Sequence, residues 1–211
     1  MTLFAERDQL ITEVIKPILK RGGFKVVGNN FRKNEKDFIK VFNIQSSACN
    51  QDDNVSFYLN IGFLFPVLYE LIDQQIPKVP KEYDCTFRIR TESLTGRNQS
   101  YRILPDTDLG YFQKLLINDL TDSVIPFFER YKEIEDCLKL RNEFDDQFAS
   151  VDPYVGLTLI KNGRYNEGSE ILDRYISTTH EGYAETLKHY REKLEIRRHH
   201  QNISDANHSK T

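Results

Sequence analysis

Tryptophan is absent from the 211 residues, methionine occurs once and cysteine three times. Cys49, Cys85 and Cys137 are odd in number and far apart, which excludes the paired short spacings of a disulfide framework or a zinc cluster. All five histidines lie at or beyond His180, so no histidine base stands in the earlier part of the chain. No serine or cysteine sits in a nucleophile elbow. No glycine loop opens a helix to cradle phosphate, since Gly22-Gly23 ends one. Neither sign of charge dominates: 29 basic and 32 acidic residues leave −3. That balance supplies no global field toward nucleic acid or an anionic membrane, so neither partner is expected.

Long apolar runs are also missing, and none approaches a membrane span. The first residues become charged at once, without the apolar core of a signal peptide. The expectation is a reduced, cytoplasmic protein. The N-x-S triplets at Asn54, Asn98, Asn202 and Asn207 are then without meaning for glycosylation.

What the chain has is a large aromatic complement, Phe 14 and Tyr 11, within a hydrophobic fraction of 39 %. This suffices for a packed core. Leu10, Ile11, Val14, Ile15, Ile18 and Leu19 recur at helical spacing, with Pro17 predicted to kink that helix. Residues 24–31 read as a short strand and turn. Residues 38–45 are rich in β-branched and aromatic side chains, and 55–63 alternate strictly between large apolar and small or polar ones. A short helix at 67–72 follows, then alternation over 84–90, which places Cys85, Phe87 and Ile89 on one face. Residues 101–104 add a candidate edge strand.

The remainder is helical. Leu109, Phe112, Leu116, Leu120, Val124, Phe127 and Tyr131 form one stripe, capped at Asp106 or Thr107 and kinked at Pro126. A helix over 134–148 is expected to carry Leu138, Arg141 and Phe144 on its stripe. Asp152 and Pro153 mark the start of a hairpin whose turn is Asn162-Gly163-Arg164-Tyr165. Gly163-x-Tyr165-x-x-Gly168 resembles the interhelical turn of a tetratricopeptide repeat, with Gly168 small enough for close approach of two helices. The match covers one hairpin, whereas an array needs about three repeats. Tyr183, Leu187, Tyr190 and Leu194 give a last helix a narrow seam. The predicted fold is α+β: an antiparallel sheet of about four to five strands with an N-terminal helix packed on it, then an all-helical C-terminal extension. The predicted division is 1–148, 149–198 and a disordered tail at 199–211.

One ordered set of short motifs carries a resemblance: Lys16-Pro17-Ile18-Leu19, Gly23-Phe24 with Gly28-x-x-Phe31, Val41-Phe42-Asn43-Ile44-Gln45-Ser46-Ser47, Phe57-x-Leu59-Asn60-Ile61-Gly62, Tyr83-Asp84-Cys85-x-x-Arg88-x-Arg90 and Pro126-Phe127-Phe128. In this order they resemble a bacterial family known only as domain of unknown function forty-three-oh-four. The resemblance spans roughly the first two-thirds of the chain. It implies a fold and a sheet-centred pattern of polar residues, with no established activity.

Alternation also gathers candidate binding residues. Asn43 with Gln45, Tyr58 with Asn60, and Arg88 with Arg90 each share a strand face. If the strands are neighbours in register, amides, a phenol and two guanidiniums lie together, a surface suited to a carboxylate or phosphate. The competing explanation is that these groups satisfy one another and carboxylates such as Glu82 and Glu92. A metal-dependent nuclease would need carboxylates where Asn43, Gln45, Tyr58 and Asn60 stand. Cys85 and Cys137 read as core residues, His199-His200 as adventitious metal binders at most, and Asp52-Asp53 and Asp145-Asp146 as solvated charge. The functional expectation is a non-catalytic binding or protein-interaction module without a cofactor, associated with immunity or defence in its most specific form. The alternative is a small-ligand enzyme or sensor that holds an anionic group through Arg88 and Arg90. The expected partner is another protein or an anionic small ligand, and the C-terminal helices offer a face for a homodimer.

Overall fold

A computed structural model describes residues 1–144 and 150–208, without the side chains of 200–208. The N-terminal helix runs as α1 (Leu3–Leu10), a π-helical segment Ile11–Ile15 and α2 (Lys16–Arg21). The strands β1 (Lys25–Val27), β2 (Asn30–Asn34), β3 (Ile39–Ser46) and β4 (Val55–Leu64) follow. Next come α3 (Pro66–Leu71), β5 (Phe87–Arg90), α4 (Glu92–Thr95) and β6 (Tyr101–Ile103). The helical part is α5 (Leu109–Asn118), a π-helical segment Asp119–Val124, α6 (Ile125–Glu129), a 3-10 segment Ile134–Leu138, α7 (Lys139–Glu143), α8 (Asp152–Lys161), α9 (Tyr165–Ile176) and α10 (Glu181–His208). No helix among the described residues is long and apolar enough to cross a membrane.

The chain divides into two compact units, 1–64 with 77–132, and 65–76 with 133–211. The first holds the sheet, which is antiparallel throughout and has six strands. The predicted single strand at 24–31 is a hairpin, β1–β2, turned by Gly28 at φ 61°. The central strand β4 pairs with β3 along one edge and with both β5 and β6 along the other. Because β5 lies against Asn60–Phe63 and β6 against Val55–Phe57, the two form one edge strand interrupted by residues 91–100.

One face of this sheet is aromatic and buried. Phe63 packs against Phe38, Phe87, Phe127, Phe128 and Tyr131, with ring centroids 5.2 to 5.9 Å apart. Phe57 stacks on Tyr101 and meets Phe112 edge-on. The stripe read from α5 onward is thus the layer that covers this face, and Phe112, Leu116, Leu120, Val124, Phe127 and Tyr131 are all buried. Its cap is Asp108, which accepts from Tyr111 N at 3.0 Å, in place of Asp106 or Thr107. Lys40, which alternation puts on the face of Phe42 and Ile44, is buried too and ion-paired with Glu35.

In the second unit, the helix expected over 134–148 begins as a 3-10 turn. Its buried residues are Ile134, Cys137 and Leu140, while Arg141 is exposed. Spacing by three follows the tighter winding, which rotates Leu138 and Arg141 off the buried side. The end of that predicted helix, with Asp145-Asp146, lies outside the described residues. Asp152 is the first helical residue of α8 and Val151 takes the cap position. The hairpin α8–α9 turns at Gly163, with φ 85°. Asp73, itself at φ 54°, binds Lys193 at 2.6 Å and Arg197 at 2.8 Å. The Lys193 bond, with Arg197 beside it, holds its carboxyl below the usual range. The backbone of α10 is helical to His208, past the start of the tail predicted at 199, and the last three residues lie outside the described ones.

Candidate functional site

The opposite sheet face carries the polar residues. Register pairs Asn43 with Asn60 and Asn60 with Arg90, Gln45 with Tyr58, and Gly62 with Arg88. The six candidate side chains therefore share one face across three adjacent strands, as period-two alternation requires.

They divide into two groups by what satisfies them. Asn60 Nδ2 donates to Asn43 Oδ1 at 3.2 Å and to Gln45 Oε1 at 3.1 Å. Asn43 Nδ2 in turn donates to Asn30 Oδ1 at 2.7 Å. With Asn43 at 8 % exposure and Asn60 at 5 %, these two amides are interior structure bonded within the sheet, and Gln45 meets Asn60 from an exposed position. The arginines differ. Arg88 and Arg90 are exposed and neither has an ion-pair partner among the described residues, Glu82 and Glu92 included. The Arg90 guanidinium lies over the Tyr58 ring, 4.0 Å from its centroid.

Arg90 also opens into a groove of about 630 Å³ that the interrupted edge strand creates. At Thr91 the chain leaves the sheet, its N–H still bound to Leu59 O, and returns at Tyr101. The floor is Ser56 and Tyr58 on β4, one wall is residues 47–54, and the other runs from Arg90 to Arg102. Asn50 fastens the first wall, since it accepts from Ser56 N at 2.7 Å and donates to Ser56 O at 3.0 Å. Arg102 pairs in register with Ser56 and its Nε donates to Asn54 Oδ1 at 2.7 Å. Arg97 fastens the second wall by pairing with buried Asp119, to which the Tyr101 hydroxyl also donates at 2.7 Å. Burial first, and that bond second, push the Tyr101 phenol well above its usual range.

Arg88 stands outside this groove, over Gly62, and is not among the lining residues. Arg102 and Arg97 were not among the predicted site residues. The first was within reach, since Tyr101 and Ile103 alternate inward and leave Arg102 on the polar face. No local signal betrays Arg97, whose partner Asp119 belongs to another element.

Cys85 is buried, but not in line with Phe87 and Ile89. The strand begins at Phe87, after a 3-10 turn at Glu82–Asp84. A Cβ on Gly62 would meet Cys85 Sγ at 2.6 Å, so the thiol sits over the polar-side surface of Gly62. Burial pushes it far above the usual thiol range, which leaves it unreactive as a nucleophile. Cys49, by contrast, is exposed on the groove wall. Among the described residues no cluster of three or more His, Cys, Asp or Glu side chains is placed to hold a metal ion.

No curated protein and no solved structure matches the chain. The stretch that builds the sheet and both groove walls does match a family model, over residues 15–130, described as Domain of unknown function (DUF4304), and the chain belongs to that family.

Proposed function

We propose that the protein is a non-catalytic binding module whose groove between β5 and β6 recognises an anionic group on a partner molecule. The observation that carries this reading is how Arg90 and Arg102 are positioned. Arg90 lies on Tyr58 and Arg102 is held by Asn54, so neutral groups orient both guanidiniums and neither is ion-paired among the described residues. Arg97 serves the wall instead, since Asp119 neutralises it. Oriented guanidinium forks suit phosphate and carboxylate, and orientation before binding lowers the entropic cost of capture. Both an acidic protein segment and a phosphorylated small molecule carry the required group. A cytoplasmic, bacterial protein that docks a toxin or signalling partner in immunity or defence is one form of this reading.

A second reading, a small-ligand sensor or enzyme, draws on two features. The groove volume falls in the range of small-molecule sites, and Glu92 lies in its lining beside the arginines. The test is capture from cell lysate by wild type, Arg88→Ala and an Arg90→Ala/Arg102→Ala double variant, each checked for folding. The expected outcome is a ligand retained by wild type and Arg88→Ala and lost by the folded double variant. Equal retention by all three proteins contradicts a role for the groove.

A further inference from the structure

Resting on that reading, we infer that the groove's ligand is a small molecule with a planar ring and a phosphate, of the nucleoside monophosphate class. Two different recognition surfaces stand side by side. At one end Arg90 lies over Tyr58, and the residue is exposed. An exposed guanidinium held beside an aromatic ring can offer its plane to a flat ring, in the way bases stack on arginine planes. At the other end Arg102 spends only Nε on Asn54. Its two terminal nitrogens remain as a fork for phosphate oxygens.

The anchor points are opposite Asn60 and Ser56 on β4. Four strand residues separate them by about 13 Å, at ~3.3 Å per residue. A lone phosphate reaches one anchor comfortably, whereas a ring joined to a phosphate engages both. Ser93, Asn98 and Gln99 on the rim, with Glu92, supply donors and acceptors for a heterocycle edge. A polynucleotide fits less well, because a net charge of −3 supplies no global field toward one. An acidic peptide has no use for the stacking surface.

The test is calorimetric titration, at low salt, of the full chain with inorganic phosphate, adenosine, the four common nucleoside 5′-monophosphates and an oligoglutamate peptide. Arg90→Lys and Arg102→Ala are titrated in parallel, and both positions are exposed enough to tolerate substitution. At least one nucleotide is expected to bind about tenfold or more tighter than phosphate, with adenosine silent. Arg90→Lys keeps the charge but not the plane, so that nucleotide should fall to the affinity of phosphate while phosphate itself is unchanged. Arg102→Ala should weaken both. Nucleotides no tighter than phosphate overturn the ring and leave anion recognition standing. Binding of oligoglutamate alone, dependent on Arg90 and Arg102, overturns the small-molecule class in favour of an acidic protein segment. Silence from every anion overturns this inference and the proposed function together.

Discussion

Asn60 and Arg90 face each other across β4 and β5, yet physical chemistry gives them opposite roles. Asn60 is buried, and a buried amide without partners costs more than its bonds return. Asn43 and Gln45 supply those partners. Replacing Asn60 with alanine strands the Asn43 carbonyl oxygen, and urea unfolding should register a loss of about 1–3 kcal/mol. Gln45→Ala, at an exposed position, should change stability by about 0.5 kcal/mol or less. A matching small loss at both positions would mean that the amide chain is solvated surface. Arg90 needs no such satisfaction, because water solvates an exposed guanidinium, and its placement on Tyr58 is available for recognition. Alternation in the sequence was enough to put these residues on one face. Burial, which separates the structural amides from the open arginines, was not legible, because it depends on neighbours from other strands.

Among the elements, the helices show how local chemistry resolves conflicts that a motif only announces. Pro17 and Pro126 were expected to bend their helices, since proline has no N–H to give. In both cases a π-helical segment stands immediately before the affected turn, Ile11–Ile15 and Asp119–Val124. The wider turn absorbs the missing bond. The α8–α9 hairpin answers the question posed by Gly168. A Cβ there would collide with the carbonyl oxygen of Gly156, and one on Gly156 would reach Gly168 O at 2.9 Å. Two glycines therefore let the helix backbones touch, of which the sequence pattern disclosed one. Gly→Ala ordinarily favours a helix by about 1 kcal/mol. At Gly168 the clash reverses the sign, and thermal or urea unfolding of Gly168→Ala should reveal destabilisation of about 1–3 kcal/mol. Gly182→Ala meets only ordinary contacts and should be neutral or slightly stabilising. Equal effects at the two positions would refute close packing of the hairpin. The edge strand is the element least accessible to sequence reasoning. Its two halves, β5 and β6, look like separate short strands, and only their shared pairing with β4 reveals the notch between them.

For the molecule as a whole, near-zero net charge means that the anion recognition proposed above rests on a local patch, and the groove lining holds Arg90 and Arg102. Its walls fall within the sheet-bearing unit and within the stretch shared with the family, whereas α8 to α10 belong to the other unit. The central claim is that the groove lined by Arg90 and Arg102 is an anion site, with Arg102 as its phosphate anchor, and that Arg88 lies outside it. It is tested most directly by titrating the ¹⁵N-arginine-labelled protein with inorganic phosphate while following the arginine Nε–Hε signals by NMR. The account predicts a saturable shift for Arg102, weakened by added salt, with Arg88 nearly still. Equal drift of all three signals without saturation, or movement of Arg88 alone, would contradict it.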